Sequence, residues 1–374
     1  MMARIGGLGV LALLACSNGA AAPRDAGSAV DAGAAEASVD VPPADAGPSA
    51  FQVFDRVRIA SRDDQPNFHR ARASFNLGNG PFARVTMIID LATTCYPFEN
   101  WRTNRPPAGQ VWPADCDAFD RNFEFILDAP ASAEGRPGVE LLRAITPFGG
   151  PLHHEVDVTD IFNGLPGEHT LMTVIPTYSD GAGRVSGSNG GWNVSARFVV
   201  ERGPAPRRVL AVTPLYDLSH TPDTPDREYA FTTPPGTAHA RIEYRVTGHG
   251  GGAVERPACI GPAEEFCVRT HTLSVDDAEV DTWDPWRNDC RELCTLVTND
   301  AGIGPSQYCQ ENPCGAVQSV RAPRANWCPG SVTPPHLIED AALLTPGPHR
   351  FRYRISRVAA SGLWRTSAVF IATE

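Results

Sequence analysis

The sequence contains no lysine, so all 32 of its basic residues are arginine. A lysine amine forms Schiff bases with carbonyl substrates, reaches the phosphates in a P-loop and serves as the base of a Ser-Lys dyad. These three kinds of site are therefore excluded. The G-x-S-x-G motif of a nucleophile elbow is missing as well, and no part of the sequence resembles a serine triad.

Positive charge is scarce overall. The 32 arginines stand against 43 acidic residues, which gives a formal net charge of -11. Such a surface repels phosphate backbones and anionic lipid headgroups, so a nucleic-acid partner is not expected. The 34 glycines and 34 prolines disfavour long helices and favour short strands joined by turns.

The N-terminal segment is predicted to direct export. One early charge, Arg4, precedes the apolar run 8–15, which is too short to cross a membrane as a helix. The run ends at Cys16, and a small residue before a cysteine is typical of a bacterial lipoprotein signal, in which that cysteine becomes the lipidated N-terminus. An ordinary secretory signal with an incidental cysteine is the alternative. We expect an exported lipoprotein whose only membrane contact is this lipid anchor, at the outer membrane or cell surface.

Residues 17–50 are predicted to be a disordered tether. They are almost wholly Ala, Asp, Ser, Gly, Pro and Val and include no aromatic residue. Burial of such side chains does not offset the entropy lost on ordering the chain.

The ten cysteines fit an oxidising compartment, where they persist as disulfides. If Cys16 carries lipid, nine remain and one of them is unpaired. The nine are at positions 95, 116, 259, 267, 290, 294, 309, 314 and 328. A zinc site at the 290/294 and 309/314 spacings is a weaker alternative, because no histidine cluster accompanies these cysteines. We predict no metal and no cofactor.

Short runs of alternating apolar and polar residues dominate from Phe51 onward, which predicts half-buried antiparallel strands. The clearest are 122–128, 241–246 and 351–355. Further candidates are 83–91, 154–161, 169–177, 194–201, 208–216, 228–232, 270–280 and 364–372. So many strands suit two sandwiches better than one.

A boundary is predicted where prolines interrupt two strand-like runs, between residues 203 and 208. The first domain then covers 51–203 and the second 208–374. The turn-rich stretch 281–338 holds five of the cysteines, which indicates a long loop region held by disulfides or devoted to function.

Asp120 is the first candidate for chemistry. It stands at the entry of strand 122–128, and strand parity predicts that it shares a polar face with Asn122 and Glu124. A carboxylate fixed there by a nearby disulfide at Cys116 suits acid–base catalysis, and a turn-capping aspartate is the alternative.

Two further segments are candidates for a ligand-binding site. Glu265 lies beside Cys267 and follows a glycine-rich stretch, 247–252, that lets a ligand approach the backbone; a solvated acidic turn is the alternative. Arg324 and Trp327 lie downstream of Trp286, and tryptophans stack on sugar rings while polar groups bind hydroxyls. These rings could equally fill the end of a sandwich.

The histidines are scattered singly except for His153 and His154, which are predicted to lie on the surface of an edge strand. A copper site would need further His or Met ligands, and only Met87 and Met172 follow the signal segment.

Six segments, in order, resemble the peptide-N-glycosidase F family of bacterial amidases, which remove Asn-linked glycans. They are 116–122, 145–160, 248–250, 265–272, 286–290 and 324–330. The run Trp327-Cys328-Pro329-Gly330 after an arginine is the most specific. The resemblance implies an all-β fold of two packed antiparallel jelly rolls after the tether.

It also implies roles for individual residues. The family's catalytic aspartate corresponds to Asp120, and its water-associated glutamate to Glu265. The implied disulfides are Cys95–Cys116, Cys259–Cys267 and Cys290–Cys328. The residues expected to contact substrate are Arg121, Tyr178, His249, Trp286, Arg324 and Trp327.

One departure from the family pattern concerns a third acidic residue. Pro176 stands where the family has a glutamate that seats the chitobiose core, and Tyr178 stands where a tryptophan is expected. The expected activity is hydrolysis of the Asn–GlcNAc amide of N-glycoproteins. The alternatives are a degenerate glycan- or protein-binding lipoprotein on the same scaffold and a copper monooxygenase of the peptidylglycine alpha-hydroxylating type.

Overall fold

The computed structural model describes residues 47–131, 135–180, 184–251 and 258–374. The signal segment, Cys16 and nearly all of the predicted tether lie outside these residues. The first strand begins at Ser49, so the last two residues assigned to the tether belong to a strand. All of the described residues belong to one compact unit.

The first half of the described chain folds into two four-stranded antiparallel sheets, in the orders β1-β8-β3-β6 and β2-β7-β4-β5. The strands are β1 (Ser49–Ala60), β2 (Arg70–Asn76), β3 (Phe82–Ala92), β4 (Asn122–Leu127), β5 (Val139–Ile145), β6 (Leu152–Asp157), β7 (Glu168–Val174) and β8 (Gly191–Arg202).

The second half repeats this plan, with sheet orders β10-β17-β12-β13 and β16-β11-β18-β9. Its strands are β9 (Val209–His220), β10 (Tyr229–Thr233), β11 (His239–Gly250), β12 (His271–Val275), β13 (Ala278–Trp283), β16 (His336–Ile338), β17 (Gly347–Ile355) and β18 (Gly362–Thr373), and a separate hairpin is formed by β14 (Leu296–Thr298) and β15 (Gln307–Cys309). The all-β double jelly-roll prediction is confirmed, and the exact domain limits stay a prediction.

The helices are short. They are α1 (Thr159–Gly164), α2 (Val317–Arg321) and the 3-10 helices Phe98–Arg102, Glu264–Phe266, Cys290–Leu293 and Ala341–Leu344. No helix among the described residues is long and apolar enough to cross a membrane.

Two strand predictions are wrong in detail. The predicted strand 154–161 ends at Asp157, because Thr159 begins α1 and its hydroxyl donates to the Asp157 carboxylate. The predicted strand 270–280 is a hairpin, β12 to β13. Asp276 and Asp277 both have positive φ at its turn, a conformation that aspartate tolerates better than most residues.

Alternation places aromatic side chains in the sandwich cores. Phe123 and Phe125 of β4 pack with Trp192 and Phe198 of β8 in the first core. Tyr244, Phe351 and Trp364 belong to the second core.

Charged side chains are buried where a sheet of the first half meets a sheet of the second. Glu124, predicted to lie on a polar face, is only 2% exposed and accepts hydrogen bonds from Arg365 Nε and Nη2 at 2.9 and 2.8 Å. Asp217 also pairs with Arg365, and burial raises the pKa of Asp217 to about 6. Arg143, fully buried, binds Glu140 and the Arg365 carbonyl oxygen. The polar face of β4 therefore packs against the second sandwich rather than facing water.

The described residues form four disulfides: Cys95–Cys116, Cys259–Cys267, Cys290–Cys328 and Cys294–Cys309. The first three are those that the family resemblance implies. The fourth closes the β14–β15 hairpin, and Cys314 is the free cysteine of the described chain. His153 and His154 lie on β6, at the edge of its sheet, as predicted.

We expect Arg365→Ala to destabilise the protein by about 3–5 kcal/mol, because Glu124 and Asp217 would keep buried charges without their partner. Urea unfolding measures this loss. Arg350→Ala is the control, since Arg350 on β17 forms a solvent-exposed pair with Glu228 and its loss should change stability little. Equal effects of the two changes would contradict a structural role for the buried charges.

Candidate functional site

The candidate site is built around the side chain of Arg324, which is 1% exposed. Its Nη1 donates to Glu265 Oε1 at 3.0 Å, and its Nη2 lies 3.7 Å from Asp120 Oδ2. Asp120 comes from the first sandwich and Glu265 from the second. One buried guanidinium thus brings together the two carboxylates that the sequence predicts as catalytic.

Several contacts hold Arg324 in this position. Its Nη2 donates to the carbonyl oxygen and the hydroxyl of Ser319, at 2.9 and 3.0 Å. Its Cζ lies 4.8 Å from the ring centre of Phe266 and 4.5 Å from that of Trp327, so both rings pack on the cation. Its Nε has no hydrogen-bond partner within the described residues.

Backbone hydrogen bonds hold the second-sandwich part of the site together. Ala325 N donates to the Glu265 carbonyl oxygen at 2.8 Å, and Gly248 N donates to the Ala325 carbonyl oxygen at 3.1 Å. Arg287 and Arg324 pair as an antiparallel bridge. The end of β11, the 3-10 helix Glu264–Phe266 and the loop around Arg324 are therefore fixed relative to one another.

The Cys95–Cys116 disulfide and the Asp117 carboxylate support Asp120 from the first sandwich. Asp117 is fully buried and accepts from Arg121 Nε at 3.1 Å and from Phe119 N at 3.2 Å. These bonds fix the turn that leads to Asp120. The side chain of Asp120 stays 17% exposed, and that of Glu265 stays 26% exposed, so both carboxylates are accessible from outside.

The two carboxylates have perturbed acidities. Burial raises the pKa of Asp120, and the positive charges of Arg324 and Arg121 act in the opposite direction. Burial also raises the pKa of Glu265, to about 7; Arg324 opposes this rise and the negative charge of Asp120 adds to it. A carboxyl group that titrates near neutral pH can hold or exchange a proton during a reaction.

The neighbouring Glu264 has a structural part. It is fully buried and accepts from Arg269 Nε at 2.7 Å, from Trp364 Nε1 at 3.0 Å and from Ala359 N at 3.0 Å. Of the two consecutive glutamates, only Glu265 faces the site.

The prediction that the ring of Trp327 is exposed and stacks on a sugar of the substrate is wrong. Trp327 is 2% exposed, with Arg324 over one ring and His249 stacked at 5.3 Å, and its Nε1 donates to the Gly248 carbonyl oxygen at 2.8 Å. The ring is therefore not open to a sugar, because Arg324 and His249 pack on it and its N–H has a protein acceptor. His249 lies in the same stack, and burial lowers its pKa to about 3, so its ring is neutral.

The other predicted contacts are distributed differently. Arg121 is bound to Asp117, with its side chain 15% exposed, so it braces the turn before Asp120. Trp286 is partly buried against the second core. Tyr178 is 48% exposed. The pairing of β7 with β4 ends at Val174 and Glu124, and Tyr178 lies in the irregular segment that follows β7.

Sequence reasoning missed three residues that shape the site. Asp117 and Glu264 each stand next to, or close to, a predicted carboxylate, so their acidic type was a signal, although nothing in the sequence separates the buried acid from the exposed one. Ser319 gave no signal, because a serine on a short helix is common.

Two groups of metal-type ligands come together among the described residues. They are Cys95, Cys116 and Cys314, and Asp289, Cys290 and Cys328. Two cysteines of each group share a disulfide, so their sulfurs are not thiolates that could bind an ion.

Loss of the Arg324 charge should raise the pKa of both carboxylates further, because the positive charge of this arginine favours their ionised forms more than any other neighbouring group does. We expect Arg324→Gln to move the pKa of Glu265 above 7, measured by carbon-13 NMR titration of the side-chain carboxyls. Arg354→Gln, at an exposed pair with Asp226, is the control. An unchanged titration of Glu265 in Arg324→Gln would contradict the coupling.

Comparison with known proteins supports the resemblance. Residues 219–371 match the family model described as peptide-N-glycosidase F, C terminal. No curated protein matches the sequence.

Solved structures extend the likeness to most of the chain. A peptide-N(4)-(N-acetyl-beta-D-glucosaminyl) asparagine amidase is 19% identical, with 88% of this chain and 96% of that one covered and a TM-score of 0.62. PNGase F, a glycosylasparaginase from Flavobacterium meningosepticum, gives the same values. The structure of PNGF-II is 17% identical, with 87% of this chain and 65% of that one covered and a TM-score of 0.63. Residues 219–371 therefore match the family model of the C-terminal domain, and the solved structures show that most of the chain shares the double jelly-roll fold.

Proposed function

We propose that this protein is a peptide-N-glycosidase that hydrolyses the amide between asparagine and N-acetylglucosamine on glycoproteins, releasing the glycan and leaving aspartate. The observation that supports this most strongly is the meeting of Asp120 and Glu265 on one buried arginine, Arg324, with both carboxylates accessible. Two solved structures of similar fold are named as amidases or glycosylasparaginases of this kind.

The geometry suits different catalytic roles for the two carboxylates. In the proposed reaction Asp120 orients the scissile amide and exchanges a proton with it. Glu265 holds the attacking water by hydrogen bonds. Arg324 keeps the pair at a fixed separation and offers positive charge where negative charge develops on the amide carbonyl.

The N-terminal sequence is the basis for a proposed cellular location. We propose that the chain is exported and that Cys16 carries a lipid anchor, because the apolar run ends in a lipoprotein-type cysteine. Four disulfides among the described residues support an oxidising compartment.

A glycan-binding protein without catalysis is the second candidate, and Pro176 favours it. This residue is exposed at the position where the family has a glutamate. The nearby Asp180 does not replace that glutamate freely, since its carboxylate accepts hydrogen bonds from Asn189 Nδ2 and Val185 N.

An activity assay separates the candidates. We expect the purified protein to release high-mannose glycans from a denatured glycoprotein, with each Asn converted to Asp, as seen by mass spectrometry. Asp120→Asn and Glu265→Gln should each lower the rate by ~10²–10⁴-fold, because each removes a positioned catalytic group. Asp226→Asn, at the exposed pair with Arg354, is a charge-matched control. Glycan binding without release by the wild type would establish the second candidate instead.

The pH dependence of the rate tests the proposed role of Glu265 in holding the attacking water. If its ionised form holds the water, activity is lost as pH falls through the pKa of about 7. The rate should fall about tenfold for each pH unit below that value, and Glu265→Gln should abolish this limb while leaving any limb due to Asp120. A rate that is constant from pH 5 to 8 in the wild type would rule out this part for Glu265.

A further inference from the structure

A groove next to the site has unusual chemistry. Two adjoining cavities, of about 510 and 280 Å³, share the side chain of Trp112. The first lies between the chain around Trp101 and the segment 304–317, and the second is bounded by residues 107–114 with Gly187 and Asn189. We call the two together the Trp112 groove.

Among the residues that the structure describes, none that lines the Trp112 groove is charged, although charged residues make up 20% of the chain. Its cysteine, Cys314, is also neutral, because burial raises the pKa of that thiol. By contrast, the cavity of about 540 Å³ near α1 is lined by eight charged residues, four of them arginines. A charged ligand would lose hydration of its charge in the Trp112 groove and would find no ion pair there in return. A neutral ligand does not have this cost.

The polar groups in the groove are those that bind hydroxyls. The amides of Gln110 and Gln307 have no hydrogen-bond partner within the described ranges, and Gln307 is exposed on β15. The indole N–H of Trp112 likewise has no acceptor among those residues, and its ring is only partly covered, by the edge-to-face contact with Trp101 at 5.5 Å. An aromatic face with free amides around it suits a sugar ring, whose C–H patch stacks while its hydroxyls donate and accept.

The groove adjoins the catalytic candidates on two sides. A Cβ added to Gly187 would stand 2.4 Å from Trp112 Cδ1 and 2.7 Å from Ala118 Cβ, so the Trp112 ring packs beside Ala118, two residues before Asp120. On the other side Val317 lines the groove, and Ser319 of the same helix binds Arg324. A glycan whose linkage sugar reaches Asp120 therefore has the groove within about one or two sugar lengths, since two residues of chain span at most ~7 Å.

We propose that the Trp112 groove binds the neutral outer sugar residues of the substrate glycan. This inference rests on the proposed function, because that function places the linkage sugar at Asp120. It assigns to the chain a preference for long uncharged glycans over the core disaccharide alone.

The experiment measures equilibrium binding, so that it does not depend on turnover. The full-length protein with Asp120→Asn is titrated by calorimetry with a free high-mannose oligosaccharide and with chitobiose alone. We expect the long oligosaccharide to bind about tenfold more tightly, as two hydrogen bonds and one stacked ring would give. The double change Gln110→Ala and Gln307→Ala should remove most of this advantage without affecting chitobiose.

Two further variants guard against misfolding. Gln310→Ala changes an exposed glutamine three residues from Gln307 that does not line the groove, and it should keep the full advantage. Trp112→Phe keeps a ring against Trp101 and removes the indole N–H, so it should lose part of the advantage. Circular dichroism and the count of disulfides by mass spectrometry verify that each variant is folded.

The possible outcomes separate the two proposals. Equal affinity for both sugars, or an advantage that survives the double change, overturns the groove proposal. Affinity that increases with peptide length in a series of glycopeptides overturns the groove proposal as well, because the peptide would then occupy the groove. A wild type that shows the full advantage but no hydrolysis refutes the amidase and leaves the groove established.

Discussion

The whole site depends on a cation that has been taken out of water. Arg324 is almost fully buried, and burial of an isolated guanidinium is unfavourable unless anions and ring faces compensate. Asp120, Glu265, Phe266 and Trp327 supply that compensation. Each partner therefore stabilises the other. The arginine holds the two carboxylates near each other, and the carboxylates make burial of the arginine favourable.

This mutual requirement extends to the contact between the two sandwiches. Away from the candidate site, Glu124, Arg143, Asp217 and Arg365 are also buried as paired charges between sheets of the two halves. Such pairs are weak contributors to net stability but strict about geometry, since a misplaced partner leaves a buried charge uncompensated. Both sets of contacts favour one relative placement of the sandwiches, and this places Asp120 opposite Glu265.

The sequence predicted the architecture well because alternation is a local property. The runs 241–246 and 351–355 lie within β11 and β17, and the boundary prolines fall between the last strand of the first half and β9. It did not predict β1, β2, β5, β14, β15 or β16: β1 has register shifts, the inward side chains of β2 are mostly alanines, and the last three strands have only three residues each. It could not predict that the polar face of β4 is buried, because a charged residue on a strand looks the same whether its partner is water or Arg365. In the site, motif order located Asp120, Glu265 and Arg324, but exposure could not be read from it, which is why Trp327 was misassigned.

The disulfide between Cys95 and Cys116 closes a span of 21 residues and ends four residues before Asp120. Closing a loop of that size removes ~3 kcal/mol of chain entropy from the unfolded state, in the chain-entropy view. This covalent link holds the segment that leads to Asp120 and favours the folded arrangement over the unfolded chain. On the proposal that the chain is exported, the link forms only after the chain has left the reducing cytosol.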